Sequence, residues 1–284
     1  MIGRSSTCAE SSQALEHLLH GPPDAARLPW GLHAMGFVPG DRHVAVAVAP
    51  GGSAEPGGSA ETGGAMREAA AHLRGAMDLP AEHISVCSCD GSILFVKGRP
   101  ESGSPLQDGE AYGAFLRDLA ASLPEGVLAG VGRPEPGLRG IPSSYRQAAE
   151  ALAMRRRVHL DSPIMTFEQS VPYTLVAARP DLAGTLTARF QPLLRSRSGH
   201  KLLRSVNAYL ETGGRLVAAA KRLGIDRRTL RLQLDKVIEL TQWDLEDGTT
   251  RFEIQVGLVA LRLREGPGGA VVLSLVGRQR DRRR

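Results

Sequence analysis

Residues 216–240 constrain the fold of this chain most strongly, because their pattern predicts two short helices joined by a tight turn. The turn centres on Gly224, since glycine adopts the left-handed backbone conformation without steric cost. Ala219 and Ala220 precede it, and their small side chains allow the second helix to cross closely over the first. Asp226 follows it and is suited to cap the second helix, because its carboxylate can accept from free first-turn N–H groups. The pattern predicts a helix-turn-helix.

The second predicted helix has one apolar face and one basic end. The apolar residues recur at helical spacing and form a face to bury: Ile225, Leu230, Leu234, Val237 and Ile238. The residues left outside near the N-terminus are Arg227, Arg228, Thr229, Arg231 and Leu232. Such side chains reach phosphates and base edges when the helix lies in a major groove. Secondary phosphate contacts are predicted for Lys221, Arg222 and Lys236. The alternative is a plain pair of helices with a solvated basic face.

Three runs in this region carry a resemblance to a known family: LLRSVNAYLETGG, AAAKRLGIDRRTLRLQLDKVIELTQWDLED and FEIQVGLVALRL. They lie within residues 200–263 and resemble, in register and without a gap, the C-terminal helix-turn-helix domain of the PucR family of transcriptional regulators. The family usually has an Arg-Asn-Thr step and a Tyr-Arg pair, where this chain has Arg227-Arg228-Thr229 and Leu232-Gln233. The resemblance implies binding to double-stranded DNA, and these departures leave the operator sequence open.

Basic residues are concentrated in the C-terminal part of the chain. From Arg195 onward there are 19 Lys or Arg and 10 Asp or Glu, a net charge of +9, whereas the remainder carries −4. A basic part on a mildly acidic body is typical of a domain that approaches phosphates. Part of the excess lies in residues 278–284, which are predicted to belong to a disordered tail that adds non-specific affinity.

The N-terminal half predicts strands and helices in the order β-α-β-β-α-β, followed by a further helix and strand. Asp90-Gly91 is the strongest hairpin signal in the chain. Strands are predicted at residues 43–49, 83–88, 92–98, 127–132 and 164–167, helices at 65–77, 109–123 and 142–158, and a flexible loop at 50–64. This order is that of a ferredoxin-like α/β sandwich. The predicted fold class is therefore α+β, with an all-α helix-turn-helix domain after the sandwich.

Residues 130–157, GVGRPEPGLRGIPSSYRQAAEALAMRRR, resemble the GGDEF-like domain of CdaR/PucR regulators. Diguanylate cyclases, which share this fold, need a Gly-Gly-Asp/Glu-Glu-Phe hairpin and an acidic metal ligand after the first strand. Here the hairpin is Cys89-Asp90-Gly91-Ser92 and the first strand ends in Ala47-Val48-Ala49. The carboxylates that would hold Mg²⁺ on a triphosphate are missing. We therefore predict a degenerate domain with no catalytic residues, no enzymatic activity and no cofactor.

The sequence predicts neither a metal site nor a membrane segment. Cys87 and Cys89 alternate as small apolar residues of a strand, and with Cys8 they are too sparse for a disulfide framework. His17 and His20 lack partner ligands in sequence, so a zinc site is not expected. No run of 18 apolar residues and no signal peptide occurs, which predicts a cytoplasmic protein.

The pattern divides the chain into five segments. These are a helical lead-in (1–40), the degenerate GGDEF-like domain (41–170), a linker with a helix near 182–194 (171–198), the helix-turn-helix domain (199–265) and a basic tail (266–284). In the fourth segment Trp243 is predicted to be a core residue. The last helix, at 249–263, is predicted to pack on the helix-turn-helix or on a second subunit through Phe252, Val256, Val259, Ala260 and Leu263.

Together these features predict a sequence-specific DNA-binding transcriptional regulator of the PucR/CdaR type. It is expected to act as a homodimer, since two recognition helices about 34 Å apart match a two-fold operator. The alternative is a non-enzymatic interaction module whose GGDEF-like domain binds a nucleotide or a protein. Family members often carry a preceding sensory domain, whereas this chain starts almost directly at the helix pair that precedes the GGDEF-like domain. Its input is therefore expected to enter through the degenerate GGDEF-like domain, from a small-molecule effector, or through a sensor partner, or to be the protein's own abundance.

Overall fold

A computed structural model describes residues 42–50, 84–89, 92–97, 109–158, 160 and 162–265. The predicted lead-in, the loop after the first strand, the helix at 65–77 and the basic tail lie outside these residues. The chain divides into two compact units, one formed by Met1–Arg156 and Ser162–Ser170 and the other by Arg157–Asp161 and Val171–Arg284. The first contains the sheet and the second is helical in its described part, which confirms the predicted fold class.

The first unit is built on a mixed sheet. Its strands are β1 (Arg42–Pro50), β2 (Ile84–Cys89), β3 (Ser92–Lys97), β4 (Val127–Val131), β5 (Glu135–Pro136) and β6 (Ile164–Thr166). The order across the sheet is β2-β3-β1-β4-β6, and β5 pairs with the start of β1. β1 is antiparallel to both neighbours, so that Val46 lies opposite Phe95 on one side and Val131 on the other, while β4 and β6 run parallel. β1 is therefore the central strand.

The strands on either side of Asp90-Gly91 form the antiparallel pair that this turn signal predicts. Cys89 of β2 lies opposite Ser92 of β3, which leaves two residues for the connection. Asp90 and Gly91 themselves lie outside the described residues.

Two helices cover opposite faces of the sheet. Phe115 and Leu119 of α1 (Gly109–Ser122) pack with the valines of β1 on one face. On the other face, α2 (Gly137–Arg157) lies so close to β4 that a Cβ on Gly130 would stand 2.1 Å from the carbonyl oxygen of Ala148. Ser144 of α2 accepts from the Ala45 N–H of β1 at 2.9 Å. Close packing of this helix therefore depends on glycine in β4.

Two predicted boundaries in this unit are wrong. The helix predicted to start at Pro142 begins at Gly137, whose φ of 64° turns the chain out of β5. Pro142 was interpreted as a first-turn proline, but it lies inside the helix. The last strand ends at Thr166, and Phe167 already begins α3 (Phe167–Ala177).

The second unit is a cluster of helices around one core. The helices after α3 are α4 (Pro180–Ala188), α5 (Gln191–Leu194), α6 (Gly199–Glu211), α7 (Leu216–Leu223), α8 (Arg227–Thr241) and α9 (Gly248–Glu265). Trp243 is 4% exposed and meets the ring of Phe190 edge-on, with the centroids 5.0 Å apart. The prediction that Trp243 is a core residue is confirmed.

The stretch predicted as a linker, 171–198, contributes to this core. Phe190 and Leu193 are almost fully buried among side chains of the later helices. Phe190 also lies against α9, where a Cβ on Gly257 would stand 2.3 Å from its ring. Residues between α4 and α6 are thus part of the helical unit itself.

Candidate nucleic-acid interface

The turn between α7 and α8 has the geometry that the sequence predicts. Gly224 ends α7 in the left-handed conformation, with φ 65° and ψ 31°. Its N–H donates to the carbonyl of Lys221 at 3.2 Å, and the Ile225 N–H donates to the carbonyl of Ala220 at 3.1 Å. These two bonds form the Schellman motif, which satisfies the free carbonyls at a helix C-terminus. The motif fixes the direction in which the chain enters α8.

Asp226 caps α8 as predicted. Its Oδ1 accepts from the Thr229 N–H at 2.9 Å, and its Oδ2 accepts from the Thr229 hydroxyl. The hydroxyl bond and then the backbone bond hold the pKa of the Asp226 carboxyl below its usual value, because both favour the ionised form. Thr229 was predicted to face DNA, and here its hydroxyl is engaged by the cap.

One face of α8 anchors the helix in the core. Leu230, Leu234 and Val237 are buried, and Ile225 packs against the same core. Ile238 was predicted on this face but is 39% exposed. The buried stripe follows positions 230, 234 and 237, and the next residue in sequence is rotated by about 100° around the helix axis. That rotation carries its side chain towards solvent.

Gln233 is the buried polar residue of α8; the sequence named it only as a departure from the family's Tyr-Arg pair and did not indicate its burial. Its side chain is 9% exposed, and its Oε1 accepts from the hydroxyl of Ser205 in α6. A buried polar group needs such a partner, because an unsatisfied one is costly. The bond therefore helps to fix α8 on α6.

The opposite face of α8 lines a concave surface shared with the start of α7. Four of the five residues predicted to reach DNA are exposed, namely Arg227, Arg228, Arg231 and Leu232. All four line an open cavity of about 750 Å³ together with Arg215, Leu216, Val217 and Asp235. We call these eight residues the α7–α8 cavity. It contains four arginines and one carboxylate, so it favours a polyanionic partner.

The basic residues around this cavity differ in whether the protein already neutralises them. In the part of the chain that the structure describes, no ion pair is found for Arg227, Arg228 or Arg231. Two of the predicted secondary phosphate contacts are paired: Arg222 lies 3.0 Å from Glu211, and Lys236 lies 2.7 Å from Glu239. Lys221, the third, is exposed at the end of α7. Among the predicted DNA contacts, the basic residues without an ion pair in the described structure are therefore the three arginines at the start of α8 and Lys221 at the end of α7.

Arg215 and Val217 are cavity residues that the sequence prediction missed. Arg215 is the N-cap of α7, and Val217 is 65% exposed in its first turn. The signal was present, because the first helix of a helix-turn-helix crosses the DNA backbone. The start of α7 is therefore the part of the sequence that indicates both residues.

The face of α9 that packs in the core differs from the face that the sequence predicts. Of the apolar residues predicted to pack, Ala260 is fully buried, whereas Phe252 is 65% exposed. The residues of α9 that enter the core are Ile254, Leu258 and Leu261. The prediction that Phe252 packs on the helix-turn-helix is therefore wrong, while its packing on a second subunit stays a prediction.

The sheet unit offers no acidic metal site in its described residues. Residues 44–49 of β1 are apolar and buried, and His43 precedes them. No group of three or more His, Cys, Asp or Glu side chains that could hold a metal ion occurs among the residues described. Within the same residues, no helix is both long and apolar enough to cross a membrane.

Two family models match the chain. Residues 202–260 match the PucR C-terminal helix-turn-helix domain, and residues 20–154 match a GGDEF-like domain, so both predicted resemblances are confirmed. A similar solved structure is that of a regulator of polyketide synthase expression from Bifidobacterium adolescentis, with 19% identity over 93% of this chain and 96% of that chain and a TM-score of 0.43. No curated protein matches the chain.

Proposed function

We propose that this chain, which carries the GGDEF-like and helix-turn-helix domains of the PucR/CdaR family of transcriptional regulators, binds operator DNA as a dimer by placing α8 in the major groove. The observation that supports this function is the α7–α8 cavity. Its exposed arginines lack internal ion pairs among the described residues. Arg227, Arg228 and Arg231 lie on one side of α8, whose other side is fixed in the core. A partner with closely spaced phosphates neutralises such a cluster.

The residues of the cavity divide by position. Arg228 and Arg231 lie in the first half of α8, where helix-turn-helix proteins contact base edges, and a bidentate arginine selects guanine. Arg227 is the first residue of α8, and Arg215 directly precedes α7. Both are therefore suited to contact phosphates on either side of the groove. Lys221 is a further candidate, while Arg222 and Lys236 would have to leave Glu211 and Glu239.

The test is binding of the full chain to the DNA upstream of its own gene, measured by fluorescence anisotropy at two salt concentrations. Replacing both Arg227 and Arg228 by Ala is expected to weaken binding by about 1 to 3 kcal/mol for each base-reading arginine. It should also lower the slope of log affinity against log salt by about 0.9 for each phosphate that the variant no longer neutralises.

The matched control is the Arg195→Ala/Arg197→Ala pair. It removes the same charge from exposed positions of the helical unit outside the cavity. If both double variants lose affinity equally, binding depends on net charge alone and the assignment to α8 fails. Weak binding with little salt dependence would favour the alternative, an interaction module that binds a nucleotide or a protein.

Dimer formation is a separate part of the proposal. Two copies of α8 read a two-fold site whose halves lie about one DNA turn apart, roughly 34 Å. Sedimentation of the free chain and of its complex with whole and half operators gives the stoichiometry. A single copy bound with full affinity to a half-site would contradict the dimer.

In this proposed function the chain acts in the cytoplasm as a regulator rather than as an enzyme. The missing acidic ligands of β1 support a signalling or structural role for the GGDEF-like domain. Input from an effector or a sensor partner is compatible with that role. Incubation with guanosine triphosphate and Mg²⁺ tests it, because any turnover would contradict a non-catalytic domain.

A further inference from the structure

Val217 and Leu232 are exposed aliphatic residues in a cavity otherwise dominated by charge. They are 65% and 61% exposed, and both line the α7–α8 cavity with its four arginines. An aliphatic surface left in water is unfavourable in proportion to its area, and it gains when an apolar group covers it. The position of the two residues among four arginines therefore fits a partner that is polyanionic and also carries apolar groups.

The major groove of DNA meets both requirements. Each thymine presents its C5-methyl group there, beside acceptor atoms and within reach of the phosphates, and aliphatic side chains contact this methyl. We propose that Val217 and Leu232 recognise thymine methyl groups, so that the operator of this protein has thymine at defined positions. This inference rests on the proposed function, since it requires α8 to lie in the major groove.

The spacing along α8 makes the proposal more specific. Leu232 follows Arg228 by four residues and lies on the same side of the helix. Four residues span about 6 Å of helix axis, which is close to two base-pair steps of roughly 3.4 Å. A thymine read by Leu232 is therefore expected about two base pairs from a guanine read by Arg228. Val217 is on α7, so its thymine is a different one.

Deoxyuridine provides the direct test, because uracil has the same hydrogen-bonding edges as thymine and lacks only the methyl group. Operator duplexes are selected from a random pool with the full-length chain, and each thymine is replaced in turn. Removal of one buried methyl group is expected to weaken binding about three- to tenfold at one or two positions per half-site. Leu232→Ala should abolish the effect at one position, and Val217→Ala at another.

Ile238→Ala is the matched control. Ile238 is an exposed aliphatic residue of α8 that does not line the cavity, so this variant should keep the full sensitivity to uracil. The proposal is overturned if uracil is neutral at every position. It is equally overturned if the uracil effect persists unchanged in the Leu232 and Val217 variants, because the methyl then acts through DNA shape.

These outcomes separate the inference from the proposed function. If the chain binds DNA tightly, the Arg227/Arg228 variant does not, and uracil is neutral at every position, then only thymine recognition is contradicted. If selection yields no sequence above the random pool, both thymine recognition and sequence-specific DNA binding are contradicted.

Discussion

The arginines at the start of α8 and those of α9 differ in what their guanidinium groups contact. The first set is exposed and has no ion pair among the described residues, and it consists of Arg227, Arg228 and Arg231. The second set is held by the protein, and it consists of Arg251, Arg262 and Arg264. Both sets count equally in the net charge of the C-terminal part. Only the first is available to a polyanion without breaking contacts inside the protein.

Arg262 shows the second role most clearly. Its guanidinium donates to the Tyr173 hydroxyl at 3.0 Å and to Asn207 Oδ1 at 3.1 Å, and it lies 3.5 Å from Glu211. Its side chain is only 11% exposed. Because Tyr173 and Asn207 are themselves buried, the arginine acts as an internal cross-link of α9 to α3 and α6. Net charge therefore overestimates the charge that is available to a polyanionic partner.

Replacing one arginine from each set by methionine tests directly whether the two sets of arginines differ in their structural role. Arg262→Met is expected to lower the free energy of unfolding by about 1 to 3 kcal/mol, because it leaves Asn207 Oδ1 and the Tyr173 hydroxyl without this donor. Chemical denaturation measures the change. Arg228→Met removes the same charge from an exposed position and should change stability by less than about 0.5 kcal/mol while weakening DNA binding. A similar loss of stability in both variants would show that the two sets of arginines do not differ in their structural role.

A smaller effect is expected at the turn that presents the free arginines. Gly224→Ala places a Cβ in open space, so its cost comes from the left-handed backbone alone and should be about 1 kcal/mol. Gly184→Ala in α4 is the control, since its Cβ also meets nothing within 4 Å and alanine is the better helix former. Thermal unfolding should therefore shift in opposite directions in the two variants. Equal shifts would show that the turn does not need glycine.

The smallest expected effect is a pH dependence at the helix caps. Asp226 and Asp247 directly precede α8 and α9. The hydrogen bonds that their carboxylates accept from Thr229 and Thr250, respectively, lower the pKa of each carboxyl. A depressed folded-state pKa means that the stabilisation is complete above the unfolded value near 3.8 and is lost as the pH falls through the folded value.

Denaturant titrations from mildly acidic pH down to below the unfolded carboxyl pKa measure this loss. The double Asp226→Asn/Asp247→Asn variant should lose stability less steeply with falling pH than the parent chain, because asparagine does not titrate. If the variant and the parent chain lose stability equally as the pH falls, the two caps are not the cause of the pH dependence.

Local chemistry made the helix-turn-helix predictable. Gly224, Asp226 and the apolar spacing of α8 each specify one feature, and the structure combines them as expected. Ile238 was misassigned because periodicity gives the width of an apolar face only approximately. Arg215 and Val217 were missed because the contacts predicted on α7, Lys221 and Arg222, lie at its C-terminal end. Which arginines are free lies beyond local sequence patterns, because Arg262 binds Tyr173, 89 positions away.

The sheet was predictable in its strands and less so in its boundaries. Alternating residues identified β1, and Asp90-Gly91 identified the hairpin. The start of α2 was misplaced because Pro142 is compatible both with a first turn and with a position inside the helix. The role of 190–193 in the helical core depends on contacts with α9, which no local pattern encodes.

The central place of β1 has a consequence for the chain as it is synthesised. Val46 pairs with Phe95 on one side, but its partner on the other side, Val131, comes 85 residues later. At roughly 5–20 residues per second the ribosome needs about 4–17 seconds to deliver that second partner. Throughout this interval an apolar, β-branched strand has an open edge that another chain can pair with. The nascent chain is therefore more prone to aggregation than the folded protein.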